Sequence, residues 1–384
     1  MSSRSPLRLT RRGMVVLVAA VALGVASYAT GYGAFIVLTL IALVVVAMAI
    51  AIPRVASSVD FDRADSPRAV GRGQTVELTL AATARRPSPP IRVVDHLAGQ
   101  PLPMSLPATS PEVQTVVRYR VQPLRRGIQT LGPLLEERTD PFGLATRTLT
   151  HQLGGEIIVF PVVHQLRPSV AGKVGLGHRE IAPTRSADPA AEFRGMREYL
   201  PGDSDRLIHW PSSARSEVPL VRDLYETPQP TLTVLLETYD GAATDVLFED
   251  SVEIAASLMS EALAREVAVT LRTRDRAVPG RAEPVRQTAE ALELLARVSR
   301  TTAETTLPAS AMVIGDPMAQ VVLIAGAGSP LIGQLTSMAS MAPRLGVLRL
   351  DDGAAPLGPL SVRHVDLANA EQFATLWNTA ALAV

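Results

Sequence analysis

The chain contains no cysteine. Disulfides, thiolate zinc sites and a cysteine nucleophile are thereby excluded. Lysine is almost missing as well: Lys173 stands alone, and arginine supplies the other basic side chains. With abundant Ala and Val, this points to coding bias in a GC-rich genome rather than to function. Net charge is also lacking, 37 basic against 37 acidic residues, so the overall balance suggests no nucleic-acid partner. The histidines at 96, 151, 164, 178, 209 and 364 show no metal-ligand spacing, such as two on one helical face. They read as ordinary surface or packing residues.

Charge is absent from two long runs near the start, Met14–Thr30 and Tyr32–Ile52. A helix needs about 20 apolar residues to cross the hydrocarbon core, with about 17 as the lower limit. The second run meets this comfortably and the first just does. The reading is a transmembrane helical hairpin with a very short outer turn, within an N-terminal segment 1–56. Arg4, Arg8, Arg11 and Arg12 precede the first run, and Arg54, Arg63, Arg68 and Arg72 follow the second. Basic flanks mark the cytoplasmic side, so both ends are expected inside, and the four arginines before residue 13 add a weak attraction to anionic lipid. A cleaved signal peptide has a similar basic start and short apolar core. Cleavage near Ala29 would leave a mature chain beginning with another span, which favours the hairpin. The expected location is the inner (plasma) membrane, multi-pass, with the soluble domains cytoplasmic.

Residues 57–163 change character. Gln74–Ala82 and Glu112–Val121 alternate apolar and polar residues at period two, the mark of a half-buried strand. Arg126–Thr139 reads as a further strand or pair bent at Gly132-Pro133, and Glu156–Val163 as a last strand. Prolines 87, 89, 90, 101, 103, 107 and 111 predict a long, stiff loop between the first two. The expected domain is a small antiparallel β-sandwich, similar in size to an immunoglobulin-like module. Asp140-Pro141-Phe142-Gly143-Leu144 reads as a turn anchored by one aromatic.

Residues 164–191, rich in Gly, Ala and Pro, predict a flexible linker. From 192 to 384 the pattern is α/β. Strands are expected at Thr231–Glu237, Val267–Arg272, Val321–Ala325 and Gly346–Leu350. Helices are expected at Phe248–Glu266, Val285–Arg300, Leu331–Met341 and Ala370–Ala380. Such alternation implies a doubly wound parallel sheet with helices on both faces. Ligands in these sheets bind beyond the carboxyl ends of the strands, which directs attention to the residues after Glu237.

Nothing else in the chain is as dense as Glu192–Glu226. It holds arginines 194, 197, 206, 215 and 222, seven acids, and the aromatics Phe193, Tyr199, Trp210 and Tyr225. Arg197, Tyr199, Gly202, Asp203, Arg206, Trp210 and Arg215 suit a docking surface, since arginine and tryptophan favour interface centres. An interdomain clamp is the plainer reading, because guanidinium groups pair bidentately with carboxylates and stack on rings, and so dense a set of opposite charges satisfies itself before it binds anything. A catalytic use of Asp203, His209 and Ser212 lacks a visible orienting acid with a nucleophile in reach. In Val321–Gly333, Gly326-x-Gly328 is followed by Leu331 where the dinucleotide fingerprint needs glycine, so a tight turn is the plainer reading. Ala327 likewise prevents a Gly-x-Ser-x-Gly elbow.

The chain resembles the bacterial family known as domain of unknown function 58. The residues that carry the resemblance are Arg197-Glu198-Tyr199, Gly202-Asp203, Arg206, Ile208, Trp210, Ala214-Arg215 and Glu226. Arg125-Arg126-Gly127, Gly132-Pro133, Asp140–Leu144 and the N-terminal hairpin also look like that family. The resemblance implies a membrane-anchored protein with a von Willebrand factor A-like C-terminal domain. It implies company with MoxR-type AAA+ ATPases and transglutaminase-like membrane proteins, and no established enzymatic activity. A von Willebrand A domain can hold a divalent cation through Asp-x-Ser-x-Ser at its first strand tip. Here Glu237, Tyr239 and Gly241 stand at those three positions, with Thr238 and Asp240 between them. Mg²⁺ demands near-ideal octahedral oxygen ligands, so no metal or other cofactor is expected at this degenerate motif. The function expected is a non-enzymatic scaffold or adaptor presenting a cytoplasmic protein-binding domain. The alternatives are divalent-cation-dependent recognition, or a hydrolase using Asp203 and His209.

Overall fold

The computed structural model describes residues 3–4, 7–52, 59–64, 67–167, 192–200, 208–216, 218–225, 231–273, 284–302, 320–337, 345–351, 353 and 363–379. The chain divides into two units, Met1–Phe160 and Pro161–Val384.

The first unit opens with β1 (Ser3–Arg4), β2 (Arg8–Leu9) and the helices α1 (Arg11–Thr30) and α2 (Gly33–Ala51). Both helices are long and apolar enough to cross a membrane. At 1.5 Å per residue each measures about 30 Å, close to the hydrocarbon thickness. Ten strands follow: β3 (Val59–Ala64), β4 (Ala69–Gly71), β5 (Val76–Ala84), β6 (Ile91–Leu97), β7 (Gln100–Leu106), β8 (Gln114–Val121), β9 (Gly127–Leu131), β10 (Leu134–Thr139), β11 (Ala145–His151) and β12 (Gly155–Phe160). One sheet runs β3-β5-β8. The other runs β1-β11-β10-β6-β9-β12-β4, with β2 also on β11 and β7 on β6. The expected antiparallel pairing holds except that β12 and β4 run parallel.

The period-two pattern of β5 sends Val76, Leu78, Leu80, Ala82 and Ala84 inward. There they meet Leu97, Leu131, Ile157 and Val159 at one end and Ile91, Val93, Leu106 and Leu134 at the other. Each fully buried Leu, Ile or Val contributes roughly 1.5–3 kcal/mol. The stiff proline loop expected between β5 and β8 is instead largely the hairpin β6–β7. Pro101 and Pro103 lie on β7, which among the described residues pairs with β6 alone. A strand with one unpaired edge tolerates residues that cannot donate. Between the prolines, Leu102, Met104 and Leu106 still turn toward the core.

The second unit contains β13 (Glu192–Glu198), α3 (Trp210–Ser213), β14 (Leu220–Tyr225), β15 (Thr231–Leu236), α4 (Asp245–Ala264), β16 (Ala268–Thr273), α5 (Thr288–Arg297), β17 (Gln320–Gly326), α6 (Pro330–Ser337), β18 (Leu345–Leu350), β19 (Arg363–Leu367) and α7 (Ala370–Asn378). A wholly parallel sheet runs β16-β15-β17-β18-β19. Its inner strands are almost continuously buried, as a parallel sheet covered on both faces requires. Thr244 caps α4 by accepting from Leu247 N. The apolar stripe of α4, including Val252, Ala255 and Met259, shares one core with Leu295 of α5 and Phe373 of α7. The polar strand β19 was not anticipated.

The expected linker starts as a fixed strap. Trp377 Nε1 donates to Arg167 O at 3.1 Å, Arg167 N to Asn378 Oδ1 at 2.6 Å, and Asn378 Nδ2 to Gln165 O at 2.9 Å. The rest of it, 168–191, lies outside the described residues.

Candidate functional site

In the parallel sheet, β16 lies on one side of β15 and β17 on the other, so the winding direction reverses between β15 and β17. The carboxyl ends of such a strand pair are the usual ligand crevice. Here the crevice is closed by the chain itself. Glu237, buried at the end of β15, accepts from Thr238 N and Tyr239 N through Oε1, both at 3.0 Å. Its Oε2 accepts from Ser329 Oγ at 2.5 Å, from the loop after β17. Gly328 N donates to Ala242 O at 3.2 Å. A Cβ on Gly326 would lie 2.1 Å from Ala242 O, so only glycine allows the two loops to touch. The broken glycine fingerprint therefore serves loop-to-loop packing.

Arg300 fastens the same loop from its other side. Its Nη2 donates to Asp240 O at 2.5 Å and Ala243 O at 2.8 Å, and it pairs with Asp240 Oδ1 at 2.9 Å and with Asp245. Asp240 N donates to Thr301 O, and Thr301 N to Thr238 O. The Tyr239 ring lies against Gly241. The degenerate metal set Glu237, Tyr239, Asp240 and Gly241 is thus a stapled loop. Three hydrogens already point at the Glu237 carboxylate, and a cation would have to displace them. Among the described residues no group of three or more His, Asp or Glu is arranged to hold a metal.

This geometry separates neighbouring side chains. Glu237→Ala strands two amides and a hydroxyl and is expected to lose on the order of 3 kcal/mol. The buried Thr238 hydroxyl has no hydrogen-bond partner among the described residues. Thr238→Val is therefore expected to be neutral or stabilising. Thermal melts of the full chain, with and without MgCl₂, check both. Stabilisation by Mg²⁺ that Thr238→Val removes would show that the tip binds a cation.

The dense segment forms an antiparallel hairpin, with Met196 opposite Arg222, Arg197 opposite Val221 and Glu198 opposite Leu220. Tyr199 N extends it by donating to Pro219 O. His209 caps α3: its Nδ1 accepts from Ser212 N at 3.3 Å and lies 2.8 Å from Ser212 Oγ. Leu220 N donates to Ser213 Oγ at 2.8 Å, tying α3 to β14. Val221 is buried, whereas Trp210 is 68% exposed. Met196, Leu200 and Val218, on the same hairpin, are exposed too. So are Arg197, whose Nη1 donates to Glu198 O, and Arg215; Tyr199 is half-buried. Gly202, Asp203 and Arg206 lie outside the described residues. His209 and Ser212 do meet, but as helix cap and capped residue, and the proposed acid Asp203 is not placed.

Sequence reasoning passed over the buried charges. In the sandwich, Asp95 Oδ1 and Oδ2 each accept from Arg63 at 2.7 Å, Oδ1 also accepts from His96 N, and Tyr119 Oη donates to Oδ2. Burial pushes the Tyr119 phenol well above its ordinary range, and the hydrogen bond to Asp95 adds to this. Burial opposes the Arg63 charge, but the Asp95 contacts outweigh it and raise the guanidinium further. Buried Glu136 pairs with Arg138 and with His151 at 2.8 Å, and buried Glu253 with His164 at 3.0 Å. Two histidines read as ordinary are thus partners of buried carboxylates. Arg349, at the end of β18, is gripped by Asp366 at 2.7 Å and Asp351 at 3.1 Å, and the Asp366 hydrogen bond raises its pKa. The available signal was a lone charge inside an apolar strand, as in Val93–Leu97 or Val347–Leu350.

The turn after β10 joins the sandwich to the helices. Asp140 accepts from Phe142 N, Leu144 N and Ala145 N at 2.9, 2.6 and 2.7 Å. Thr10, the N-cap of α1, donates through its hydroxyl to Gly143 O at 2.6 Å and through its amide to Leu144 O at 2.9 Å. A Cβ at Gly13 would sit 2.1 Å from Leu144 O, so glycine is needed for α1 to lie this close. Leu144 and Ala145 are buried with Ala49 of α2, and Val16, Val45 and Ile50 pack around them.

No family model matches the chain, and no curated protein matches it. Among solved structures it is similar to the CARDB domain of a Pyrococcus furiosus protein in complex with di-metal ions. That match is 11% identical, covers 27% of this chain and 88% of that one, and has a TM-score of 0.21. Beta-glucosidase from Listeria innocua matches at 8% identity over 27% of this chain and 16% of that one, with a TM-score of 0.19. A Niemann-Pick type C2 protein from the Japanese carpenter ant matches at 8% identity over 26% and 89%, with a TM-score of 0.15. Scores this low carry no argument about function.

Proposed function

We propose that this chain is a membrane-anchored, non-enzymatic adaptor of the domain of unknown function 58 family. Its helical hairpin spans the inner membrane, and the sandwich and the α/β domain are cytoplasmic. The α/β domain is von Willebrand factor A-like with a metal motif turned into a structural staple. The β13–β14 hairpin docks a protein partner, a MoxR-type AAA+ ATPase or a neighbouring membrane protein. The exposure of Trp210 carries this reading. A large aromatic left 68% open on α3, beside a hairpin that also exposes Met196, Leu200 and Val218, suits the centre of an interface. The staple at Glu237 supports it by occupying the place where an α/β sheet would otherwise bind a small ligand.

Anchoring has its own support. Cleavage near Ala29 would remove β1, β2 and the Thr10 cap, and β11 would keep β10 but lose its partners on the other edge, at Ala145, Thr146, Leu149 and Thr150. An uncleaved hairpin keeps that sheet edge covered.

The test is crosslinking of the full chain in native membranes, with the captured proteins identified by mass spectrometry. An AAA+ ATPase enriched over a chain lacking residues 192–226 is the expected result. Capture of none, or equal capture by both chains, contradicts the reading.

A further inference from the structure

We infer that the Asp140–Leu144 turn is a membrane-interface anchor, with Phe142 seated in the headgroup layer of the bilayer that α1 and α2 cross. This rests on the membrane reading above. The Asp140 carboxylate shapes the turn by holding three amides, at Phe142, Leu144 and Ala145. The turn in turn holds the start of α1 through Thr10 and Gly13, and touches the end of α2 through Ala49. Both contacts fall at the end of the hairpin where the chain leaves the apolar runs. The turn therefore sits at the depth where a spanning helix meets the headgroups.

Phe142 is 62% exposed in the middle of this turn and packs into neither core cluster described for the sandwich. The Arg12 guanidinium lies beside Gly143, next to it. An aromatic ring with an adjacent cation matches a layer of acyl-chain ends and anionic phosphates. The opposite end of the hairpin shows the same feature, since Tyr28 and Tyr32 beside the outer turn are both largely exposed. Aromatics then mark both interfaces, one set on the helices and one on the sandwich. The consequence is a sandwich held against the membrane surface rather than swinging on a tether.

The absence of native cysteine makes the test direct. Full-length Phe142→Cys and Leu40→Cys chains are labelled with an environment-sensitive fluorophore. They are reconstituted into vesicles of phosphatidylethanolamine and phosphatidylglycerol. Quenching by nitroxide-bearing lipid is compared with quenching by aqueous iodide. The expected result is a blue-shifted emission at both positions, quenched by the lipid nitroxide and protected from iodide. Lipid quenching at position 40 with iodide quenching at position 142 would overturn the anchor while leaving the membrane reading intact. Iodide quenching at both positions would overturn the two together.

Discussion

Replacing Asp95 with alanine is expected to destabilise the sandwich by about 3–5 kcal/mol, the usual cost of stranding one member of a buried ion pair. Asp95 is fully buried and receives four hydrogen bonds, two from Arg63, one from Tyr119 and one from His96 N. Its loss leaves a guanidinium in the core with, among the described residues, Tyr119 Oη and Leu153 O, both at 3.2 Å. Arg63 lies on β3, Asp95 on β6 and Tyr119 on β8, so the cluster bridges the two sheets. The double substitution Arg63→Met with Asp95→Leu removes both charges and is expected to recover most of the loss. Thermal melts of the full chain in detergent, resolved by hydrogen exchange along Leu78–Ala84, separate this from melting of the other unit.

The same cluster has a pH signature. The Tyr119 phenol is raised by burial, so the unfolded chain ionises first as pH climbs. Tyr119 thus contributes stability that is fully present below its ordinary value near 10 and is lost as pH rises toward its higher folded value. Tyr119→Phe is expected to lose stability less steeply above about pH 10 than wild type, by up to about 1.4 kcal/mol per pH unit. Identical slopes would mean that the phenol is not buried beside Asp95.

Much of this fold was legible because it follows local periodicity. The alternation in β5 and β8 and the apolar stripe of α4 place their strands and helix within a few residues. β6 and β7 were obscured because Pro101 and Pro103 look like loop residues until an edge position makes them harmless. β11 was obscured because Ala145–His151 is mostly Thr, Arg and His, with little apolar alternation. The buried pairs were harder still. Asp95 finds Arg63 across 32 residues and Glu237 finds Ser329 across 92. Such partners are set by topology, not by spacing in the chain. The dense segment was visible at once, and its density of opposite charges favoured the clamp, but composition could not say which of its aromatics are left open. What the structure adds is the exposure of Trp210.

Trp210→Ala is accordingly expected to leave the fold intact and to weaken partner binding by about 30-fold, a loss of about 2 kcal/mol, as for a central aromatic at an interface. His209→Ala removes the cap of α3 and is expected to lower the melting temperature modestly while leaving partner capture largely in place. It abolishes no turnover if the chain is an adaptor. The decisive measurement is capture of the proposed AAA+ ATPase partner by wild-type and Trp210→Ala chains in the same membranes, with melting temperatures recorded beside it. The account predicts equal melting temperatures and capture strongly reduced in Trp210→Ala. A variant that melts far below wild type, or one that melts normally and captures the ATPase as well as wild type does, contradicts it.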